Sequence, residues 1–210
     1  MRYKIEMIER AGAFEKAQDW QGLFNFCTAW TDEEPMNFLA WKGVGDGLRK
    51  LNRTADAVLM YHKSLSMVPP SPDEYFGPLF SAGPVWYSLG RAYIELGDRG
   101  NAIAALSEAA KIDPDEAIIW NDLGYVYVSM EPRDSKAAFG AFKKAVDIDP
   151  QNFDGLKNLG LLYAMAGLKE GVESIAKMLL ISEDPMLPMS KRTKSRDFLK
   201  EANEILRSTR

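Results

Sequence analysis

The chain has 210 residues, 46% of them hydrophobic and 27% charged, with a formal net charge of -4; it is long enough to bury a core and too apolar for disorder. No global positive field exists to attract nucleic acid or an anionic membrane, so neither partner is expected. Cys27 and His62 are the only cysteine and histidine, which excludes an internal disulfide and a Cys/His zinc site, and neither has a second catalytic group beside it in the sequence. No metal, cofactor or catalytic residue is expected.

The first segment, 1–37, begins MRYKIEMIERAGAFEKAQDW, where charged residues break the apolar ones every few positions. That pattern is not a signal peptide, and no run approaches membrane-spanning length, so a soluble cytoplasmic protein is expected. Ala11, Phe14, Trp20, Leu23, Trp30 and Pro35 sketch a degenerate helix pair.

Residues 38–71 contain WKGVGDGLRK, three alternating glycines followed by basic residues. Such a run looks like a phosphate loop, but a phosphate loop needs a strand before it and a helix starting after it. Here an apolar stretch, ADAVLMYHKSLSMVP, follows instead and stops at Pro69. The next segment, 72–82, is rich in proline and aromatics. Its prolines forbid regular helix, while Tyr75, Phe76, Leu79 and Phe80 are too apolar for a free loop. These rings are expected to pack over the joint between 38–71 and 83–116. The rival reading is an exposed patch that docks a partner or a second copy.

Segments 83–116 and 117–152 repeat one design. WYSLGRAY and WNDLGYVY each open on Trp with Gly four residues later, and each leads to an alanine-rich stretch closed by Pro114 or Pro150. Gly90 and Gly124 stand 34 residues apart, Gly124 and Gly160 36, and Gly45 and Gly90 45, the longer spacings placing insertions where turns fall. Trp86, Leu89, Gly90 and Tyr93 follow helical periodicity, as do Ala102, Leu106 and Ala109 after Gly97 and Asp98. Two antiparallel helices per unit result, with small residues allowing close backbone approach. Segment 153–186 keeps Leu159, Gly160, Tyr163 and Gly167 but degenerates to Val172, Ala176 and Leu179 in its second half. In 187–210, Phe198, Ala202, Ile205 and Leu206 share one helical stripe, the mark of a helix that covers the open apolar end of a stacked array. The basic run KRTKSR then forms its solvated face.

The pattern resembles the tetratricopeptide repeat (TPR) family, whose 34-residue unit reads W-x2-L-G-x2-Y, then A-x3-F-x2-A, then P. Segment 117–152 matches every signature position with Trp120, Leu123, Gly124, Tyr127, Ala138, Phe142, Ala145 and Pro150. Segment 83–116 departs only at Leu106, and 38–71 keeps Trp41, Gly45, Ala57 and Pro69 with Tyr61 at the aromatic place. The resemblance implies an all-α fold, a right-handed α-α superhelix of helical hairpins with a C-terminal capping helix. It further implies that first helices line a concave ligand-binding face. Carried over residue by residue, that face presents Lys42, Asp46, Arg49, Tyr87, Arg91, Glu95, Asn121, Tyr125, Lys157 and Asn158. Mixed charges beside tyrosines suit an extended peptide. The family's carboxylate clamp for chaperone C-terminal tails is not matched: Lys42 fits its first position, but Asp46, Ser88, Ile118 and Asp122 stand at the others, so a chaperone tail is not the expected partner.

The expected function is therefore a non-catalytic scaffold or adapter that binds a peptide or protein. The alternative is an assembly module that self-associates, as a homo-oligomer, through 72–82 or the ends of the array. Gly43 has no role in this register; a ligand backbone passing close to it is the expectation that would explain it.

Overall fold

A computed structural model describes residues 5–69, 81–181 and 189–208. Among these, eleven helices and no strands occur. They are α1 (Ile5–Ala17), α2 (Trp20–Glu33), α3 (Phe38–Lys50), α4 (Thr54–Leu65), α5 (Gly83–Glu95), α6 (Arg99–Ile112), α7 (Ala117–Ser129), α8 (Ser135–Ile148), α9 (Phe153–Met165), α10 (Lys169–Ile181) and α11 (Met189–Ser208). The all-α class and the paired helices expected from the sequence are what is observed. Tyr75, Phe76, Leu79 and Phe80 lie outside the described residues.

The same local chemistry ends four of the five first helices and leads into the second ones. The N–H of Asp19, Arg53, Asp98 and Leu168 donates to the carbonyl of Phe14, Leu48, Tyr93 and Tyr163, at 2.9–3.0 Å. The residue just before each donor takes a left-handed backbone: Gln18 (φ 55°), Asn52 (φ 61°), Gly97 (φ 74°) and Gly167 (φ 71°). This is the Schellman closure, in which a residue with positive φ lets the chain reverse and satisfies orphan helix carbonyls. Between α7 and α8 the chain is two residues longer, yet Asp134 still donates to the carbonyl of Tyr127 at 3.2 Å. Side-chain oxygens then cap several helices: Asp19 accepts from Gly22 N–H, Asn37 from Leu39, Asp98 from Asn101, Asp134 from Ala137 and Asn152 from Gly155. Each cap satisfies an N–H that the helix itself leaves open.

Within a pair, the glycine of the first helix receives the bulky residue of the second. A Cβ on Gly45 would lie 2.6 Å from the Tyr61 ring, on Gly90 2.7 Å from Leu106, and on Gly124 2.5 Å from Phe142. The register that places these glycines opposite the aromatic position thus has a packing cause.

Two compact units divide the chain, Met1–Pro114 and Asp115–Arg210. The first holds a core that includes Leu23, Trp30, Phe38, Tyr61, Val85 and Leu89, all at most 1% exposed. The second is built on Phe142, Leu156, Leu159, Ile175, Phe198 and Ala202. In its last pair the aromatic place is taken by Ala176, and Gly160 receives Phe198 of α11 instead, 2.5 Å from where its Cβ would be. Phe198 is fully buried while Asp197, Lys200 and Glu201 are exposed. The C-terminal helix therefore supplies the ring that the degenerate second half lacks, which is the capping role expected of it.

Candidate functional site

The three glycines of WKGVGDGLRK sit inside α3 and are buried. Each accommodates a different neighbour. A Cβ on Gly43 would overlap Sγ of Cys27 on α2, one on Gly45 would meet Tyr61 on α4, and one on Gly47 would come within 3.0 Å of backbone atoms of Phe24 on α2. The helix is thus wedged between α2 and α4, and only a residue without a side chain fits at these turns. Gly43 has the structural role that the repeat register left it without, and no ligand backbone is needed to explain it. At the start of α3 the Asn37 side chain accepts from Leu39 N–H at 3.0 Å, and its carbonyl takes Ala40 and Trp41. No nest of free N–H groups is left there to hold a phosphate.

Helical spacing puts Lys42, Asp46 and Arg49 on one face of α3. Lys42 Nζ donates to Asp46 Oδ2 at 2.6 Å, and the Tyr61 hydroxyl donates to Asp46 Oδ1 at 2.8 Å. Arg49 crosses to α5 and pairs with Glu95 at 2.6 Å, while the Thr54 hydroxyl donates to the other Glu95 oxygen at 3.2 Å. The Lys42 and Asp46 side chains are 21% and 11% exposed. Desolvation alone would lower the Lys42 pKa, but the charge and hydrogen bond of Asp46 outweigh it and hold the ammonium above its ordinary range. Burial, reinforced by the Asp46 charge, raises the Tyr61 phenol. Both groups therefore stay protonated at neutral pH, Lys42 as a cation and Tyr61 as a donor. Tyr61 is the participant that the sequence reading missed: it was seen as a packing ring, and nothing in the signature reveals where its hydroxyl points.

Beside this cluster lies a cavity of about 250 Å³, walled by Ile8, Ala11, Leu39 and Val85 and edged by Glu15, Lys42 and Asp46. Desolvation raises the Glu15 carboxyl, with Lys42 pulling the other way. Trp30 also lines the cavity, and its indole N–H is buried without a hydrogen-bond partner among the described residues. Arg49 Nε is in the same condition. Buried donors left unsatisfied are rare and costly. Of the residues lining this corner, the sequence analysis named Ala11, Trp30, Lys42, Gly43 and Asp46, without bringing the first two together with the rest.

Tyr87 and Arg91 lie one turn apart on α5, half-buried, with Arg91 Nη1 3.4 Å from the Tyr87 hydroxyl. In the second unit, Asn158 of α9 donates to Asn121 of α7 at 3.0 Å, and Tyr125 is 51% exposed. Lys157 reaches α11, 3.5 Å from Glu201. Expected positions on successive first helices thus meet one another at Arg49–Glu95 and Asn121–Asn158, whereas Lys157 is drawn to the terminal helix. The positions where a carboxylate clamp would need donors are occupied by buried Ser88 and Asp122 and exposed Ile118, and Lys42 is already paired.

Cys27 is fully buried, and desolvation, with smaller contributions from Asp46 and Glu15, pushes its thiol up to about 12. A thiol in that state is not a nucleophile at neutral pH. His62 meets the Tyr93 hydroxyl at 2.9 Å. Among the described residues no group of three or more His, Cys, Asp or Glu side chains is placed to hold a metal, and no helix is long and apolar enough to cross a membrane.

A family profile described as TPR repeat matches residues 90–130. No curated protein matches the sequence. Among solved structures, a crystal structure of MamA is 21% identical with a TM-score of 0.67, covering 87% of this chain and 96% of that one. MamA from Desulfovibrio magneticus RS-1 gives 19% and 0.68, covering 85% and 95%. The crystal structure of YrrB, described as a TPR protein with an unusual peptide-binding site, gives 17% and 0.62, covering 97% and 90%. At such identities the likeness speaks for the fold. The profile marks residues 90–130 as TPR repeat, and the packed glycines, the repeated helix closures and the shared fold show a tetratricopeptide-repeat architecture among the described helices.

Proposed function

We propose that the chain is a non-catalytic scaffold or adapter that holds an extended peptide or protein segment against the face formed by its first helices. Tetratricopeptide repeats are typically protein-interaction scaffolds, and YrrB, a neighbour in fold, is described as having an unusual peptide-binding site. The observation that carries the reading is the polar surface shared by α3 and α5. There Arg49 and Glu95 bridge the two helices at 2.6 Å, Lys42 and Asp46 pair beside a cavity of about 250 Å³, and the buried Trp30 indole N–H and Arg49 Nε–H have no acceptor among the described residues. A peptide backbone offers carbonyl acceptors, and its side chains can fill an apolar recess edged by charge. Tyr87, Arg91 and Tyr125 add half-buried or exposed contact area of the kind that anchors interfaces.

The test is capture of the partner from native lysate by the wild-type chain and by the double variant Arg91→Glu, Tyr125→Ala. The variant is expected to lose the captured protein while keeping its helical circular dichroism and melting temperature. Capture at wild-type level by a folded variant contradicts the proposal.

A further inference from the structure

The second unit carries a recess of its own. Its volume is about 410 Å³, and it lies between the beginning of α8 and the end of α9. The floor is apolar: Phe139 and Tyr163 meet edge to face with ring centroids 5.6 Å apart, and Leu162 is 7% exposed beneath them. Met165 and Leu168 leave apolar surface open at the mouth, 39% and 54% exposed. A recess of this size has room for at least one large side chain.

The rim of this recess is cationic, in a chain whose net charge is -4. Arg133 and Lys136 both line it, both are exposed, and neither makes an ion pair among the described residues. The acid between them in sequence, Asp134, makes no ion pair with either among the described residues; its Oδ1 accepts from Ala137 N–H at 2.9 Å. Nearby Lys169 is balanced by Glu173, 3.7 Å away, so the uncompensated charge is that of Arg133 and Lys136. An exposed apolar recess whose only charged lining is two free cations is complementary to an apolar side chain flanked by carboxylates.

We infer that this recess is a second docking site, with lining residues distinct from the first-helix positions named above, for a peptide segment in which acidic residues adjoin a bulky apolar side chain. The apolar side chain enters between Phe139, Tyr163 and Leu168, and the carboxylates meet Arg133 and Lys136. A basic or purely apolar segment does not satisfy both halves of the site.

Fluorescence anisotropy of labelled acetyl-SGDEFLGS-amide on the full chain tests this. The peptide is expected to bind with a micromolar Kd that weakens with added salt, and to weaken at least about tenfold when Asp-Glu is replaced by Lys-Lys or Phe by Ser. The variant Arg133→Glu, Lys136→Glu changes only exposed positions, and should lose binding to the same degree. Leu168→Asp, a separate surface change, should do likewise. Arg91→Glu with Tyr125→Ala should bind as wild type. Absence of binding, equal binding of the lysine peptide, or full binding by both recess variants overturns the inference, as does loss caused by the Arg91 and Tyr125 changes alone.

Discussion

At Gly43 a methyl group would overlap Cys27 Sγ, and at Gly47 it would meet Phe24 backbone atoms that cannot rotate away. Alanine gains about 1 kcal/mol of helix propensity over glycine, but overpacking costs about 1–3 kcal/mol. Gly43→Ala is therefore expected to lose stability by about 1 kcal/mol, and Gly47→Ala by about 2–3 kcal/mol, in urea unfolding. Adding Cys27→Ala should relieve the first and leave the second unchanged, because only the first clash is with sulfur; equal coupling to both would contradict the packing account. The same cysteine sets a pH dependence. Its pKa is raised from the ordinary 9.0 to about 12, so the unfolded chain loses its proton first. The stabilisation is intact below pH 9 and declines from there toward pH 12, by at most about 1.4 kcal/mol per unit. Unfolding midpoints at pH 7, 9 and 10.5 should fall more steeply for wild type than for Cys27→Ala. None of this was legible in the sequence, where Gly45 had a place in the signature and Gly43 had none. The reason is that α2 belongs to a degenerate pair, and a signature says nothing about what a weak neighbour presses against it.

Pairs of helices were legible because local chemistry recurs along them, each pair carrying some of it: a glycine facing a bulky side chain, a turn with positive φ, a carboxylate or amide cap. What the letters did not carry was substitution from elsewhere. Ala176 leaves the last pair without its aromatic, and Phe198 of α11 fills the space over Gly160. The apolar stripe of the terminal helix was visible, but its seat was not, since it depends on a vacancy in another element. Phe198→Ala should cost about 3–5 kcal/mol and melt the second unit earlier than wild type. Lys200→Ala, an exposed change on the same helix, should cost less than about 0.5 kcal/mol. A similar small effect for both, by thermal denaturation, would mean that α11 is not part of the core. Ion pairing followed the same division. The spacing of Lys42 and Asp46 announced that they share a face, whereas the bridge from Arg49 to Glu95 required α3 and α5 to be neighbours.

For the chain as a whole, the repeat explains the fold and leaves the partner to the surface. Solved structures at 17–21% identity share the fold over most of their length, so fold-determining positions are few and the remaining residues are free to specify ligands. Of the residues expected on the first helices, Lys42, Asp46, Arg49 and Glu95 join in one charged surface, and Asn121 meets Asn158. The pairing of these groups with each other could not be read from register alone, because register gives direction and not distance. The central claim is that a protein segment lies along the first helices. A photo-crosslinking amino acid at Tyr87, on α5, compared with one at Lys111, exposed on α6, tests it most directly. The captured partner is expected to crosslink at 87 and not at 111. Crosslinking at 111 with none at 87 would contradict it.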